Sequence, residues 1–308
     1  MNPDIRSFRS NGKLLISAEY FVLFGAKALA LPTVLGQELI VKTNKIPSSS
    51  FSWITNVCGK KIFSAEFDVL GNVLDASDHR LSDRLTHIFN FIIQTKGKDI
   101  LRDVSEFESN LEFSMEWGLG SSSTLIYALA SWADMDPFLL QKEIFGGSGY
   151  DIACAGSDKA VMYQLNEQIP SWTNIPFNPS FKDDLFFVYL NKKENSREAI
   201  SLVEARKKFF NPELVNKISS ISLEMVEAKN LKAFSQLMTD HESIVSSATG
   251  KETVKAKLFM DYPYAIKSLG AWGGDFILVE GHSRMHDYFI KKGYETCISY
   301  KKMILNSH

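Results

Sequence analysis

"WGLGSSSTLIYALA", residues 117–130, joins two different periodicities through two glycines and three serines. Upstream, "LEFSMEW" (111–117) alternates, with Leu111, Phe113, Met115 and Trp117 on one side and Glu112, Ser114 and Glu116 on the other. That is the period of a half-buried strand. Downstream, Leu125, Ala128, Leu129 and Trp132 recur at helical spacing. The reading is a strand, a glycine-rich turn and a helix N-terminus. Glycine lets the main chain approach a ligand closely, and the first turn of a helix carries N–H donors without intrahelical partners. Such a turn can hold phosphate. It is not a Walker A loop, because no Gly-Lys-Ser/Thr closes it. It also lacks the third glycine and the βαβ setting of a dinucleotide fingerprint.

The rest of the chain sets the frame for that turn. With 308 residues, 45% hydrophobic and 23% charged, it can bury a substantial core in one large domain or two lobes. A formal net charge of −2 gives no global basic field, which argues against nucleic acid as a partner. The N-terminal "MNPDIRSFRSNGK" has no apolar core of a signal peptide, and no apolar run reaches the length of a membrane span. Cys58, Cys154 and Cys297 are scattered and odd in number, so they read as reduced thiols of a cytoplasmic protein.

Along the chain, "GKLLISAEYFVLFG" begins as a strand at Leu14–Ile16, breaks at Ser17–Glu19 and resumes as an apolar run at Tyr20–Phe24. "ELIVKTNK" reads as a strand, and "SSFSWITNV" and "KKIFSAEFDV" flank "CGKK" as a hairpin. Residues 80–97 carry a helical pattern, Pro137 opens another helix, and "AVMYQL" closes the first half as a strand. The proline-rich "IPSWTNIPFNPSF" is the best inter-lobe connection, which places the lobes at 1–168 and 169–308. Beyond it come the strand "LFFVYL", helices around 196–209, 212–228 and 231–248, a third glycine cluster "SLGAWGGDFILVEG", a helix, and a last strand "TCISYKKM". Hairpins mixed with helices predict an α+β chain. "DHES" (240–243) lies in a helix with a single His and does not suggest a metal site.

Three segments, "GKLLISAEYFVLFG", "GLGSSST" and "SLGAWGGDFILV", resemble in order the three motifs of the GHMP kinases. "GSGYDIACAG" is similar to a fourth segment of mevalonate and phosphomevalonate kinases, and "GYDIA" looks like the signature of the GYDIA-type bacterial subgroup. The resemblance implies a two-lobed fold with a ribosomal-S5-domain-2-like N-terminal lobe and a ferredoxin-like C-terminal lobe. It implies ATP and Mg²⁺, and transfer of the γ-phosphoryl group to a small alcohol or phosphorylated alcohol. "AEY" and "GSGYD" lean toward mevalonate or phosphomevalonate and isoprenoid precursor synthesis. A sugar or homoserine kinase, an ATP-dependent decarboxylase of the same fold and a non-catalytic binding protein stay open. The protein would be a monomer or homodimer.

Residue by residue, the resemblance places Gly118, Leu119, Gly120, Ser121, Ser122 and Ser123 around the ATP phosphates. Ser122 and Glu143 would hold Mg²⁺. Asp151 would accept or orient the acceptor proton, and Lys13 would approach the acceptor oxygen. Glu19, Tyr20, Gly149, Tyr150, Gly270, Trp272, Gly273 and Gly274 would line the substrate side. Plainer roles stand beside these: Ser121, Ser122 or Asp151 as helix caps, and Lys13 and Glu143 as solvated surface charges. Ala18 stands where the motif usually has glycine, and Trp272 and Asp275 interrupt a usually small, glycine-rich third motif; Asp275 would repel phosphate if it pointed inward.

Overall fold

A computed structural model describes residues 4–194, 201, 203–282 and 284–305. The chain divides into two compact units, each assembled from several segments. The first comprises residues 1–12, 35–115 and 120–156; the second comprises 13–34, 116–119 and 157–308. Strands β1 (Asp4–Leu15) and β2 (Ala28–Thr43) each contribute residues to both units.

In the first unit, β3 (Ser50–Val57), β4 (Lys60–Asp68), β5 (Val73–Ala76) and β6 (Val104–Leu111) join the second half of β2 in the order β5–β4–β3–β6–β2. The β3–β6 pair is parallel and the others are antiparallel. The alternating residues of these strands build one face of aromatic side chains. Phe51, Trp53, Phe67 and Phe107 are buried there and meet Phe89 of helix α1 (His79–Lys96), all with centroids 5.2–5.9 Å from that ring. Helices α2 (Ser121–Trp132), α3 (Pro137–Ile144) and α4 (Tyr150–Ala155) complete the layer. Asp78 caps α1 and Asp136 caps α3 through their side chains, with Pro137 at the first helical position.

In the second unit, the first half of β2 pairs antiparallel with β7 (Ala160–Asn166), and β7 with β8 (Ile169–Ile175). A second sheet, all antiparallel, runs β10 (Ile266–Ser268), β11 (Phe276–Glu280), β9 (Leu185–Tyr189), β12 (Cys297–Ser299). Helices α5 (Pro212–Glu227), α6 (Leu231–Thr249), α7 (Val254–Leu258), α8 (Met285–Lys291) and α9 (Tyr300–Met303) accompany it. Its core includes Val188, Phe259, Tyr262, Ile266, Ile277, Val279 and Phe289. The mixed two-sheet α+β class expected from the sequence is what the chain adopts. No helix among the described residues is long and apolar enough to cross a membrane. The three cysteines are free thiols.

Several boundaries differ from expectation. The strand before the glycine turn is β6, ending at Leu111 rather than spanning 111–117. The ladder closes at Gln37–Leu111, and the Glu112 carboxylate then takes the Gly36 amide at 2.8 Å and Arg9 at 2.8 Å. Met115–Trp117 form a 3-10 turn. Phe21–Phe24 is likewise a 3-10 helix and not an extended run. "IPSWTNI" is not a connection but strand β8, turned from β7 at Glu167 and Gln168, both with positive φ. Pro170 is tolerated because β8 is an edge. Tyr300–Met303 is helical, so "YKKM" leaves the last strand. The helix expected around 196–209 lies partly outside the described residues; within them 203–205 are helical and Lys207–Phe209 is a 3-10 turn.

Gly36 marks a point where β1 and β2 leave no room for a side chain. A Cβ there would stand 2.3 Å from the Ser10 carbonyl oxygen, an atom of the main chain that cannot swing away. Gly36→Ala is expected to destabilise the protein by about 1–3 kcal/mol, the range for overpacking, read as a lower denaturant midpoint at unchanged slope.

Candidate active site

Helix α2 begins at Gly120, whose φ of 90° is left-handed, and no side chain hydrogen-bonds to the first-turn amides. The expected caps, Ser121 and Ser122, do not perform that task. Ser121 is half-buried, Ser122 exposed and Ser123 buried. The uncapped N–H groups of this turn lie at the positive end of a helix, which suits an anion.

The helix is held from behind by buried polar groups. Ser10 donates to the Thr124 carbonyl at 2.8 Å, Thr124 donates to Gln37 Oε1 at 2.5 Å, and Gln37 donates to Ser109 at 2.6 Å. Each of these side chains lies inside the unit, so each needs its partner. Ile126, Ala128, Leu129 and Trp132 bury the rest of the helix. Gly156 lets α4 approach α2: a Cβ there would fall 2.3 Å from the Tyr127 hydroxyl.

The second glycine cluster delivers Asp151 to the same end of α2. Gly146, Gly147 and Gly149 all have positive φ, and Gly149 is the N-cap of α4. Asp151 sits in the first turn, where its Oδ1 accepts from the Ile152 amide at 3.1 Å. Its Oδ2 accepts a short hydrogen bond from the Ser123 hydroxyl. The carboxylate is thus fixed between the first turns of α2 and α4. Tyr150 is half-buried beside it, and Glu143 is exposed near the end of α3. Among the described residues no three His, Cys, Asp or Glu side chains converge to hold a metal by themselves.

In the second unit, Lys13 is at the end of β1. Its amide donates to the Leu119 carbonyl at 2.9 Å and its Nζ to the Gly118 carbonyl at 3.0 Å. The third glycine cluster brings Asp275 against Gly118, where a Cβ on Gly118 would lie 2.4 Å from the Asp275 Cγ. Only glycine suits that position, which also has a φ of 65°. Asp275 Oδ1 accepts from the Glu194 amide at 3.2 Å. Burial pushes its carboxyl above the ordinary value, and Lys13 pulls it back. Gly270 approaches the same carboxylate, Gly273 is exposed, and Gly274 is packed on the Lys192 carbonyl. Trp272 is buried.

Glu19 and Tyr20 follow Lys13 in the same unit. Tyr20 donates through its hydroxyl to the Ala271 carbonyl at 2.5 Å. The Glu19 carboxylate is fully buried and accepts from Lys267 Nζ at 2.6 Å. His241 Nε2 lies 3.3 Å from the other Glu19 oxygen and accepts the Ala18 amide at 2.8 Å. Glu242 stands 3.8 Å from Lys267 and accepts from Ser268 at 2.8 Å. Burial raises Glu19 against the pull of Lys267, and burial with Lys267 drives His241 well below its ordinary value. Burial lifts Glu242 to about 8. One buried ammonium neutralises one carboxylate, so the second stays protonated near neutrality. Sequence reading passed over His241, Glu242 and Lys267.

No protein-family model and no curated protein matches the sequence. Solved structures do. L. major mevalonate kinase in complex with R-mevalonate aligns with a TM-score of 0.65 at 14% identity, covering 94% of this chain and 91% of that one. S. pneumoniae phosphomevalonate kinase in complex with phosphomevalonate and AMPPNP aligns with a TM-score of 0.65 at 16% identity, covering 93% and 95%. Lactococcus lactis galactokinase complexed with galactose aligns with a TM-score of 0.63 at 13% identity, covering 99% and 94%. The chain has the fold these enzymes share, the GHMP kinase fold.

The Glu242 proton gives a stability test. In the fold this carboxyl holds its proton up to about pH 8, against an ordinary value of 4.5. The folded state binds more protons across that window, so this contribution is complete below the lower value and is lost as pH rises through the upper one. The wild type should lose up to about 1.4 kcal/mol per pH unit from this group between the two values. Glu242→Gln should flatten that alkaline decline in denaturant titrations from pH 6 to pH 9.

Proposed function

We propose that the protein is an ATP-dependent phosphotransferase that acts on the hydroxyl of a small alcohol. The observation that carries this reading is the Ser123–Asp151 hydrogen bond, which sets a carboxylate at the open amide end of α2. Phosphoryl transfer asks a protein mainly to hold phosphates, neutralise charge and orient the acceptor. The main chain at Gly118–Ser123 would hold the phosphates, and Lys13 would offset charge beside Gly118. Asp151 would accept or orient the proton of the attacking hydroxyl. On the acceptor side, the first unit would contribute Gly149 and Tyr150, and the second unit Tyr20, Gly270, Gly273 and Gly274, with the buried Glu19 and Trp272 supporting the latter from behind. The likeness to mevalonate and phosphomevalonate kinases favours mevalonate or phosphomevalonate as acceptor; galactokinase shares the fold equally and keeps sugars in the screen.

Mg²⁺ fits the donor set as a metal that arrives with the nucleotide. Mg²⁺ takes oxygen ligands and is commonly held by one or two carboxylates with substrate phosphates, and the exposed Ser122 hydroxyl and Glu143 carboxylate are of that kind. These two residues would hold it, and it would neutralise developing phosphate charge.

An ADP-release screen over mevalonate, phosphomevalonate, galactose and homoserine tests the reading. Turnover of one acceptor without CO₂ release is expected; CO₂ release would instead indicate decarboxylation, and failure to bind Mg·ATP would end the proposal. Asp151→Asn should lower turnover by about 10²–10⁴-fold, the range for a lost general base, while Mg·ATP affinity stays nearly constant. Ser122→Ala should shift the Mg²⁺ titration to higher concentration, and an unmoved curve would remove Ser122 from the metal.

A further inference from the structure

Two segments of the second unit hold non-glycine residues in left-handed backbone. Ala18 and Tyr20 have φ of 67° and 66°, and Trp272 and Asp275 have φ of 59° and 50°. Left-handed conformations are costly for residues with a side chain and persist only where the surroundings over-determine them. The other non-glycine residues with positive φ include Cys58, Glu167 and Gln168 at the tight turns of hairpins, where that backbone is ordinary. The 17–20 segment is not a hairpin turn, and 269–275 is the long loop of the β10–β11 hairpin rather than a tight turn, so hairpin geometry alone does not account for their left-handed residues.

Fully buried charge links them. Glu19 of the first segment pairs with Lys267, two residues before the second begins, and both side chains have 0% exposure. Lys267 also donates to the Ser268 carbonyl at 3.0 Å. From α6, His241 takes the Ala18 amide, and Glu242 takes the Ser268 hydroxyl. Ser17 contacts Ser222 of α5 at 2.7 Å and accepts the Leu29 amide at 3.0 Å. At the far side, Tyr20 reaches the Ala271 carbonyl, and Lys251 Nζ lies 3.3 Å from both groups. Glu19 Oε2, His241 Nδ1 and Glu242 Oε1 are buried with no hydrogen-bond partner among the described residues. A cluster built for stability alone would satisfy such atoms or replace them by apolar groups.

We propose that Glu19, Lys267, His241 and Glu242 form a positioning cluster that makes the 17–20 and 269–275 segments a single rigid piece. Tyr20 and the 269–275 loop are thereby presented to the acceptor as one surface. Glu19 acts through Tyr20 and Lys267, and His241 acts through Ala18. This rests on the acceptor assignment above for its functional meaning, but the mechanical coupling can be measured without any acceptor.

Hydrogen exchange read by mass spectrometry on the full chain provides the test. Glu19→Gln and Glu242→Gln keep side-chain shape, and Lys267→Met removes the buried ammonium. In Glu19→Gln and Lys267→Met, peptides covering 16–24 and 264–276 should lose protection together, by about tenfold or more in exchange rate, while peptides of α2 keep theirs. Should Lys267→Met unfold the chain, Glu19→Gln decides. Loosening of one segment alone, of neither, or of the whole second unit uniformly would overturn the proposal. In the ADP-release assay, the same variants should raise KM for the acceptor that is turned over more than KM for ATP. An equal effect on both would also count against the cluster. If no acceptor is turned over but the two segments loosen together, the coupling stands and the phosphotransferase reading falls.

Discussion

A helix that offers its first amides to a ligand cannot close them with its own side chains, so it must be anchored elsewhere. Helix α2 meets that constraint with Gly120 at its N-cap and a buried chain of hydrogen bonds through Thr124, Gln37, Ser10 and Ser109. Four neutral polar groups inside a core are tolerable because each is bonded. Removing one partner would leave another unsatisfied, at a cost of about 1–3 kcal/mol. The serines at 121–123 are then released from capping, and Ser123 is available to fix Asp151.

Periodicity made much of this legible. The hairpin of β3 and β4, helices α1 to α3, and β7 all lie where apolar spacing placed them. Errors arose where local composition and pairing disagree. "LEFSMEW" alternates, yet no strand partner continues past Leu111. "IPSWTNI" holds proline and few buried residues, yet β7 supplies a complete ladder for it. Alternation reports which side chains could share a face, and only the neighbouring strand decides whether a ladder forms.

The site was legible in part for a similar reason. Glycine clusters announce left-handed turns and close approaches: the turns at 146–149 lead into Asp151 in one unit, and Gly118 and Gly270 approach Asp275 in the other. The buried cluster went unseen because "DHES" looks like an ordinary polar helix segment. A signal was present. Phe234, Met238, Val245 and Ala248 form the buried stripe of α6, and His241 and Glu242 fall within it at helical spacing. Two titratable residues on an apolar face call for buried partners. Lys267, between Ile266 and a run of small residues, is the matching cation.

The alternation of the two units along the chain has a consequence for synthesis. Residues 13–34 and 116–119 belong with 157 onward, whereas 1–12, 35–115 and 120–156 belong together. No single cut releases either unit whole. As the chain leaves the ribosome, the 1–12, 35–115 and 120–156 segments can find each other early, while 13–34 and 116–119 must wait for the C-terminal half. The Ala18–His241 and Glu19–Lys267 contacts span more than 200 positions, so they close last and carry a large loop entropy. A nascent chain stalled before residue 267 would hold Glu19 with no counter-charge, which makes this carboxylate a marker for completion of the fold.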